Sequence, residues 1–150
     1  MEKKSIEKTT VLMYSLEATL GTLMSDFGTI PSEIETKAQE LALEVAGPQV
    51  WQYVGADGKP DTKFQLDICL PVKETKGDAG KFRFEELPAI TCVSDIHKGS
   101  WAKLGDTYMR MFGEITRKGI QPANICREVY HHYDMENEVV NITEVQVAIQ

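Results

Sequence analysis

The sequence predicts an α+β fold in which a strand, a helix and a hairpin of two further strands occur twice along the chain. Two helical stretches carry apolar stripes that match at a shift of 70 residues, and two pairs of strand-like segments match at a shift of 77. A length of 150 residues suits one domain. Residues 1–150 are therefore expected to form a single domain with duplicated βαββ halves at about 5–75 and 81–150.

Each half is predicted to begin with a strand. Residues 9–16 and 81–96 are rich in β-branched and other apolar residues, and the second segment is interrupted at Pro88. Glycine and charged residues at 76–80 form the one plausible linker between the halves. Residues 17–29 are the least regular part, and they are expected either to extend the first strand or to fold back on it.

One amphipathic helix is predicted to follow in each half. Residues 30–45 end before Gly47, residues 100–118 end before Gly119, and Ser100 can cap the second helix. Apolar residues recur at helical spacing in both stretches. The matching positions are Ile34 and Leu104, Ala38 and Tyr108, Leu41 and Met111, Ala42 and Phe112, and Val45 and Ile115.

The hairpin strands repeat in the same way. Residues 50–54 correspond to 127–131, and residues 64–72 correspond to 141–149. These segments alternate and are rich in β-branched residues, which is typical of strands. Asp57-Gly58 predicts a tight turn inside the first hairpin.

The alternation along these strands assigns side chains to the two faces of each sheet. The apolar face of residues 64–72 is expected to be covered by the helix of its half. Asp67 and Glu144 then lie on the uncovered faces, at equivalent positions. If the two sheets meet about a pseudo-twofold axis, these faces form a central groove. Its predicted walls are Trp51, Tyr53, Asp67, Glu128, Tyr130 and Glu144.

A groove lined by aromatic rings and carboxylates suits a lipophilic organic cation, because rings and carboxylates both attract positive charge. Carboxylates gathered in a partly dry cleft repel one another, so the pKa of at least one is expected to be raised. Two alternatives remain open: strand aromatics can serve packing alone, and Asp67 and Glu144 can simply face water. Trp101 and Tyr108 lie on the helix stripe, where a place in the core competes with a place in the pocket.

Composition and charge argue against several other classes of function. Lys and Arg number 16 against 23 Asp and Glu, so the net charge is -7 and direct contact with nucleic acid is not expected. No apolar run approaches the roughly 20 residues of a membrane helix. No apolar core or cleavage site follows the lysines of residues 1–8, so we expect neither a membrane span nor a signal peptide.

The cysteines and histidines indicate neither disulfides nor a metal site. Cys69, Cys92 and Cys126 form no CxxC pair, and their odd number suits the reducing cytoplasm. His131 and His132 lie near Cys126, but adjacent residues of a strand point to opposite faces. We therefore expect a cytoplasmic protein without metal or other cofactor.

Several short motifs resemble one known family in their order and spacing. FEELPA at 84–89 and HKGSWAKLG at 97–105 resemble the "ELPA … H-x-G-x-[YW]-x-x-L-G" segment of GyrI-like small-molecule-binding domains. These are also the effector-binding domains of AraC- and MerR-type transcription regulators. REVY at 127–130 and TEVQV at 143–147 resemble the family's "E-x-Y" and "TE[IV]-x-[IV]" strands.

The resemblance implies two βαββ units around a central groove for drug-like, often cationic ligands. The family's pocket glutamate falls on Glu128, the aromatic residue two positions later on Tyr130, and the polar position of the last strand on Glu144. The sequence departs from the family pattern in two places. The final strand ends VAI at 147–149 where a proline is usual, and residues 17–29 are longer than expected.

Three functions follow from these observations, and a binding module is favoured over an enzyme. The chain is expected to bind, sequester or sense amphipathic compounds as a stand-alone effector-binding domain, because no helix-turn-helix segment precedes it. The first alternative is a hydrolase of strained electrophilic compounds, in which Glu128 is the base and Tyr130 the hydrogen-bond donor. The second is a protein-interaction role with a regulator or with DNA gyrase.

Overall fold

A computed structural model describes residues 1–150. It contains eight strands, three α-helices and two single-turn 3-10 helices, at Trp101–Lys103 and Glu138–Val140. The strands and α-helices in chain order are β1 (Glu2–Ile6), β2 (Thr9–Ala18), α1 (Leu23–Phe27), α2 (Ile30–Glu40), β3 (Val50–Val54), β4 (Phe64–Pro71), β5 (Arg83–Leu87), β6 (Ile90–Lys98), α3 (Leu104–Arg117), β7 (Pro122–His132) and β8 (Ile142–Ile149).

All eight strands belong to one antiparallel sheet with the order β1-β6-β8-β7-β3-β4-β2-β5. The two halves of the chain join at its centre, where β7 of the second half pairs with β3 of the first. The α+β class, the antiparallel strands and the two main helices, α2 and α3, agree with the prediction. The hairpins of the two halves join edge to edge within a single sheet.

A bent ribbon of two strands brings the two ends of this sheet together. Strand β1 pairs with β6 at one end of the strand order, and β2 pairs with β5 at the other. The register is the same on both sides of the bend, because Ile6 lies opposite Ile90 and Thr9 lies opposite Leu87. Only two residues connect the strands at each bend, and three Cα–Cα steps span at most about 11 Å. The sheet must therefore curl.

The inside of the curl is the face without helices. Its central side chains are buried although no helix covers them: Val11, Cys69 and Cys92 are fully enclosed. Arg127, which is also buried, donates from Nη2 to the carbonyl oxygen of Pro88 at 2.8 Å, so the bend at Pro88 lies over this face.

The two helices cover the outer face on either side of the centre. Helix α2 contacts β2 and β4 and buries Ile34 and Ala38. Helix α3 contacts β6 and buries Met111 and Ile115 in a cluster with Val93, Val145 and Val147. Strands β3 and β7 lie at the centre of the sheet, between the strands that α2 covers and those that α3 covers. The candidate site described below lies on these two strands.

The register across the centre corrects the predicted faces. Trp51 and Tyr53 lie opposite Ile68 and Leu66, whose side chains belong to the core beneath α2. Glu128 lies opposite Trp51. The helix-covered face therefore carries Trp51, Tyr53, Glu128 and Tyr130. Asp67 and Glu144 are on the other face, so the prediction of one common helix-free groove is wrong.

Three local features remain. Residues 17–29 extend β2 to Ala18, which is one of the two alternatives expected, and then form the short helix α1, which was not expected. Helix α2 ends at Glu40, and Ala42 takes a positive φ of 52° in the turn that follows. Strand β1 was not predicted. None of the helices is long and apolar enough to cross a membrane.

Candidate functional site

The candidate site lies at the centre of the sheet, where β3 and β7 run side by side. The register places Trp51 opposite Glu128 and Tyr53 opposite Cys126. Alternate residues of a strand share a face, so Tyr130 lies on this face as well. Two aromatic residues of the first half and one of the second thus surround a single carboxylate.

Glu128 is only 6% exposed, and three phenol groups bind its carboxylate. The hydroxyls of Tyr53 and Tyr130 donate to Oε1 at 3.2 and 2.6 Å. The hydroxyl of Tyr108 donates to Oε2 at 2.6 Å. Since Tyr108 belongs to α3, the helix closes the site above the sheet.

No ion pair in the protein involves Glu128. Burial raises the pKa of Glu128, while the three tyrosine hydrogen bonds act in the opposite direction. Burial and the nearby carboxylate raise the pKa values of Tyr53, Tyr108 and Tyr130 well above 10, so all three stay protonated donors at neutral pH. When Glu128 is ionised, all of its hydrogen-bond donors are neutral hydroxyls, and no charged group is in direct contact with it.

A row of aromatic rings passes the carboxylate and reaches the surface. Phe27 of α1 meets Trp51 edge-on with centroids 4.9 Å apart, and Trp51 meets Tyr130 at 5.2 Å. Trp101 meets Tyr130 at 5.5 Å and Tyr133 at 6.1 Å. These distances lie within the range of favourable ring pairs. Sequence reasoning missed Phe27 and Tyr133, which lie in the irregular segment 17–29 and in a loop.

A buried histidine fixes two of the site residues. His97, which is 7% exposed, donates from Nε2 to the carbonyl oxygen of Ser100 at 2.8 Å, and its Nδ1 lies 2.8 Å from the hydroxyl of Thr107. Ser100 directly precedes Trp101, and Thr107 directly precedes Tyr108. One imidazole thus holds the backbone before Trp101 and the side chain before Tyr108. His97 belongs to the motif quoted above, which was the one sequence signal for it.

Asp67 lies away from this site, on the face inside the curl. Its carboxylate accepts hydrogen bonds from Ser15 at 2.5 Å, Gln52 at 3.0 Å and Gln65 at 2.8 Å. Gln52 in turn accepts a hydrogen bond from Arg127 at 2.9 Å. Asp67 therefore belongs to a polar network that joins neighbouring strands.

Glu144 lies on the same inner face and is fully partnered. It accepts hydrogen bonds from Ser94 at 2.8 Å and Gln146 at 2.9 Å, and Lys4 and His131 contact it at 2.5 and 2.9 Å. Burial by itself raises the pKa of Glu144, but these partners outweigh it and lower the pKa to about 2. The predicted grouping of Glu144 with Glu128 is wrong. Glu144 lies opposite Val129, which follows Glu128 along β7 and therefore points to the other face of the sheet.

The Glu128 site is closed by its own side chains. One surface cavity of about 640 Å³ is lined by residues 98–100 and 135–139, and another of about 410 Å³ by residues 15–17, 54 and 63–65. Neither is lined by Glu128 or by the tyrosines that bind it. Because Glu128 is only 6% exposed and three tyrosine hydroxyls bind its carboxylate, a ligand that reaches the carboxylate has to displace one or more of these rings.

The fold and the site define an α+β domain with a buried carboxylate at the centre of its sheet, and the comparisons identify its family. The sequence model of the GyrI-like small molecule binding domain matches residues 1–150. The chain therefore belongs to the GyrI-like small-molecule-binding domains, and the resemblance stated from the motifs is confirmed. A search of curated proteins gave no match.

Solved structures with the same fold include two of EcmrR. The crystal structure of the EcmrR C-terminal domain is 21% identical, with a TM-score of 0.79, and the match covers 99% of this chain and 95% of that one. In the cryo-EM structure of EcmrR with DNA, the match is 19% identical with a TM-score of 0.79 and covers 99% of this chain and 56% of that chain.

Two further structures with this fold are of a ligand-bound protein and of a hydrolase. SAV2435 bound to tetraphenylphosphonium is 13% identical with a TM-score of 0.66, and 99% of this chain and 93% of that chain are covered. A hydrolase encoded by lin2189 from Listeria innocua is 10% identical with a TM-score of 0.67, with 99% and 92% covered. At these identities the likeness establishes the fold.

Glu128→Gln is expected to stabilise the unliganded protein at neutral pH. A carboxyl whose pKa is raised by folding contributes less stability as the pH rises above the unfolded value of about 4.3. We expect Tm at pH 7 to rise, by about 2–4 °C for each kcal/mol by which removal of the buried charge outweighs the altered hydrogen bond to Tyr108. Thermal unfolding at pH 4 and pH 7 measures the difference, which should nearly vanish at pH 4. Glu17→Gln on the surface is the control, and a lower Tm of Glu128→Gln at pH 7 would contradict the assignment.

Glu144→Gln is expected to have the opposite effect. Because folding lowers the pKa of Glu144 to about 2, its stabilising contribution is present above about pH 4.3 and disappears as the pH falls toward 2. The wild type should lose about 3 kcal/mol across this window, and Glu144→Gln should lack that loss and be less stable at pH 7. Urea unfolding between pH 2 and pH 7 tests this. Equal acid sensitivity of the two proteins would show that other groups govern it.

Proposed function

We propose that this domain binds amphipathic organic cations and that Glu128 supplies the countercharge. The observation that carries the proposal is a buried carboxylate with three hydroxyl donors and no cationic partner. An ionised carboxylate in such a place is costly unless a positive charge joins it. Support comes from SAV2435, a protein of the same fold that is bound to the lipophilic cation tetraphenylphosphonium.

The ligand-contacting residues proposed are those on the helix-covered face. The set is Trp51, Tyr53, Trp101, Tyr108, Glu128 and Tyr130. A desolvated contact between a cation and an aromatic face contributes about 2 kcal/mol, against about 0.5–1 kcal/mol at an exposed site. In this proposal, a planar ligand replaces the edge-to-face contacts that Trp51 and Trp101 make with Tyr130. Asp67 and Glu144 are left out because they lie on the other face.

The proposed biological role is to sense or sequester such compounds. A protein partner, either a transcription regulator or DNA gyrase, remains a prediction from the family resemblance. We also propose a cytoplasmic location, which the three cysteines support, since all are free thiols and two are buried.

Glu128→Gln is expected to lower the affinity for tetraphenylphosphonium at pH 7 by at least about tenfold, which corresponds to about 1.4 kcal/mol. The substitution keeps the shape of the side chain and the acceptor for Tyr53 and Tyr130, removes the charge, and replaces the oxygen that accepts from Tyr108 by an amide nitrogen. The affinity of the wild type should also fall as the pH is lowered through the pKa of Glu128, because the protonated carboxyl no longer attracts a cation. Isothermal titration calorimetry from pH 4 to pH 8 measures both effects. The affinity of Glu128→Gln should not depend on pH in this range.

Glu144→Gln serves as the matched control, because it removes an equally buried carboxylate from the other face. The affinity of Glu144→Gln for tetraphenylphosphonium should equal that of the wild type. Equal affinity of Glu128→Gln and wild type for the cation would refute the charge-based site, whatever the effect of Glu144→Gln.

Hydrolysis of strained electrophiles is the second candidate function, and the tyrosine hydroxyls around Glu128 favour it. Ionised Glu128 can take a proton from a water that attacks a ring carbon, while Tyr130 donates its proton to the oxygen that leaves that carbon. The proton on Glu128 then returns to the tyrosine oxygen. This domain has the same fold as a hydrolase from Listeria innocua, which supports testing it.

Incubation with a terminal aryl epoxide tests hydrolysis, with the diol measured by mass spectrometry. If the domain is a hydrolase, Glu128→Gln should abolish diol formation, and Tyr130→Phe should lower kcat by about 10²-fold or more. Glu144→Gln should retain the wild-type rate. If the protein binds the cation tightly but forms no diol, hydrolysis is refuted and binding is the only function supported.

A further inference from the structure

Gln49, the residue directly before β3, is 7% exposed and uses both ends of its side-chain amide. Its Nε2 donates to the carbonyl oxygen of Pro31 at 2.9 Å and to Oε1 of Glu35 at 3.1 Å, and both of these residues belong to α2. Its Oε1 accepts a hydrogen bond from the indole Nε1 of Trp51 at 3.0 Å. The amide therefore joins one ring of the candidate site to the helix that covers the first half of the sheet.

The main chain of Gln49 holds a second ring of the site. Its carbonyl oxygen accepts a hydrogen bond from the backbone amide of Tyr130 at 3.1 Å. Trp51 meets Tyr130 edge-on, with centroids 5.2 Å apart and an angle of 81° between the ring planes. Gln49 thus fixes the backbone that carries one ring of this pair and the indole edge of the other.

The rings of the site differ in what holds them. The three tyrosine hydroxyls donate to Glu128, so a ligand that takes over the carboxylate removes the bond that holds a tyrosine. The two tryptophans are held elsewhere: Trp51 donates to Gln49, and Trp101 donates to Thr143 at 3.0 Å. A buried donor that loses its acceptor is costly. When the site opens, we therefore expect a tyrosine to move and Trp51 to stay.

We propose that Gln49 is a positioning residue, which keeps the indole of Trp51 in one plane as a fixed wall of the ligand site and so favours ligands with a flat ring system. A flat ring system stacks only on a ring whose plane is parallel to it. A ligand whose rings point in several directions can pack against an indole in more than one orientation. The inference rests on the proposed function of Glu128 and adds the shape of the ligand and the residue that selects it.

The indole N–H signal of Trp51 in nitrogen–proton correlation spectra of the full chain tests the positioning role. Gln49→Met keeps an unbranched side chain of similar length and removes the acceptor of the indole N–H. The Trp51 signal, assigned with Trp51→Phe, should shift and should exchange with solvent at least about tenfold faster, because its hydrogen bond is lost. The signal of Trp101, whose partner is Thr143, should not change.

Gln52→Met is the matched control, because Gln52 is 8% exposed and lies on the other face of the sheet. Its amide bonds to Asp67 and Arg127, so this variant also loses buried hydrogen bonds and should be less stable. Both indole signals should nevertheless keep their positions. The comparison separates the orientation of Trp51 from a general loss of stability.

Two probes test the effect on ligand choice by titration calorimetry. Proflavine is a flat cation, whereas the phenyl rings of tetraphenylphosphonium point in different directions. Gln49→Met should weaken proflavine binding by about fivefold to tenfold, the effect of one hydrogen bond, and should change tetraphenylphosphonium binding by less than about twofold. Gln52→Met should change neither affinity.

A further measurement on the wild type needs no substitution and decides the matter even if Gln49→Met does not fold. In the complex with proflavine, the indole N–H of Trp51 should stay as protected from solvent exchange as in the free protein. Loss of that protection would show that Trp51 is the ring that moves, and it would overturn the inference.

The outcomes distinguish this inference from the proposed function. Selective loss of proflavine affinity in Gln49→Met, together with faster exchange of the Trp51 indole, supports the positioning role. An unchanged Trp51 signal, an unchanged proflavine affinity or an equal loss for both probes overturns it and leaves the proposal for Glu128 standing. If neither probe binds the wild type, the proposed function fails and this inference fails with it.

Discussion

The pairing of β3 with β7 determines the rest of the structure. It joins the two halves of the chain and places Trp51 beside Glu128, with a helix on either side of the pair. Because each half contributes one of the two strands, neither half alone contains the site. Tyr53 comes from the first half and Tyr108 and Tyr130 from the second, and all three bind one carboxylate. A shift of one residue in this pairing would turn Glu128 away from Tyr53 and place it inside the curl.

The bent ribbon explains how the other face of the sheet is buried without a helix. Two-residue connections join β1 to β2 and β5 to β6, and these strands lie at opposite ends of the strand order. The sheet therefore curls, and its inner face is buried against itself. Its centre has to accommodate polar groups, and each of the carboxylates there is hydrogen-bonded: Asp67 to Ser15, Gln52 and Gln65, and Glu144 to Ser94, Gln146, Lys4 and His131. Buried polar groups that are fully partnered stabilise and fix a fold. This inner network therefore supports the sheet that carries the site on its outer face.

Much of the fold can be predicted from the sequence, but the faces cannot. Periodicity of apolar residues predicts α3 and the hairpin strands, and the duplication predicts their order. Alternation shows which residues of one strand share a face, such as Leu66 and Ile68. It does not show which residues lie opposite them on the next strand, because that depends on the register. Sequence alternation alone therefore predicts Trp51 on the face of Asp67, whereas its partner is Ile68. Strand β1 is short and charged, and its pairing depends on a distant strand, β6. The family resemblance placed Glu128 and Tyr130 correctly beside each other, because it rests on positions within one strand.

Glu128 and Glu144 have the same chemical group and lie on neighbouring strands, yet their surroundings have opposite effects. Lys4 and three hydrogen-bond partners hold the pKa of Glu144 near 2, so its charge stabilises the fold. The direct partners of Glu128 are neutral hydroxyls, and burial raises its pKa. A lysine beside Glu128 would stabilise the free protein, but it would also occupy the position that an incoming cation needs. A buried carboxylate without a counterion therefore makes the free protein less stable than one with a lysine at that position would be. The same absence gives the site a higher affinity for an external cation. The environment, rather than the residue type, separates the glutamate that supports the structure from the one that is suited to binding.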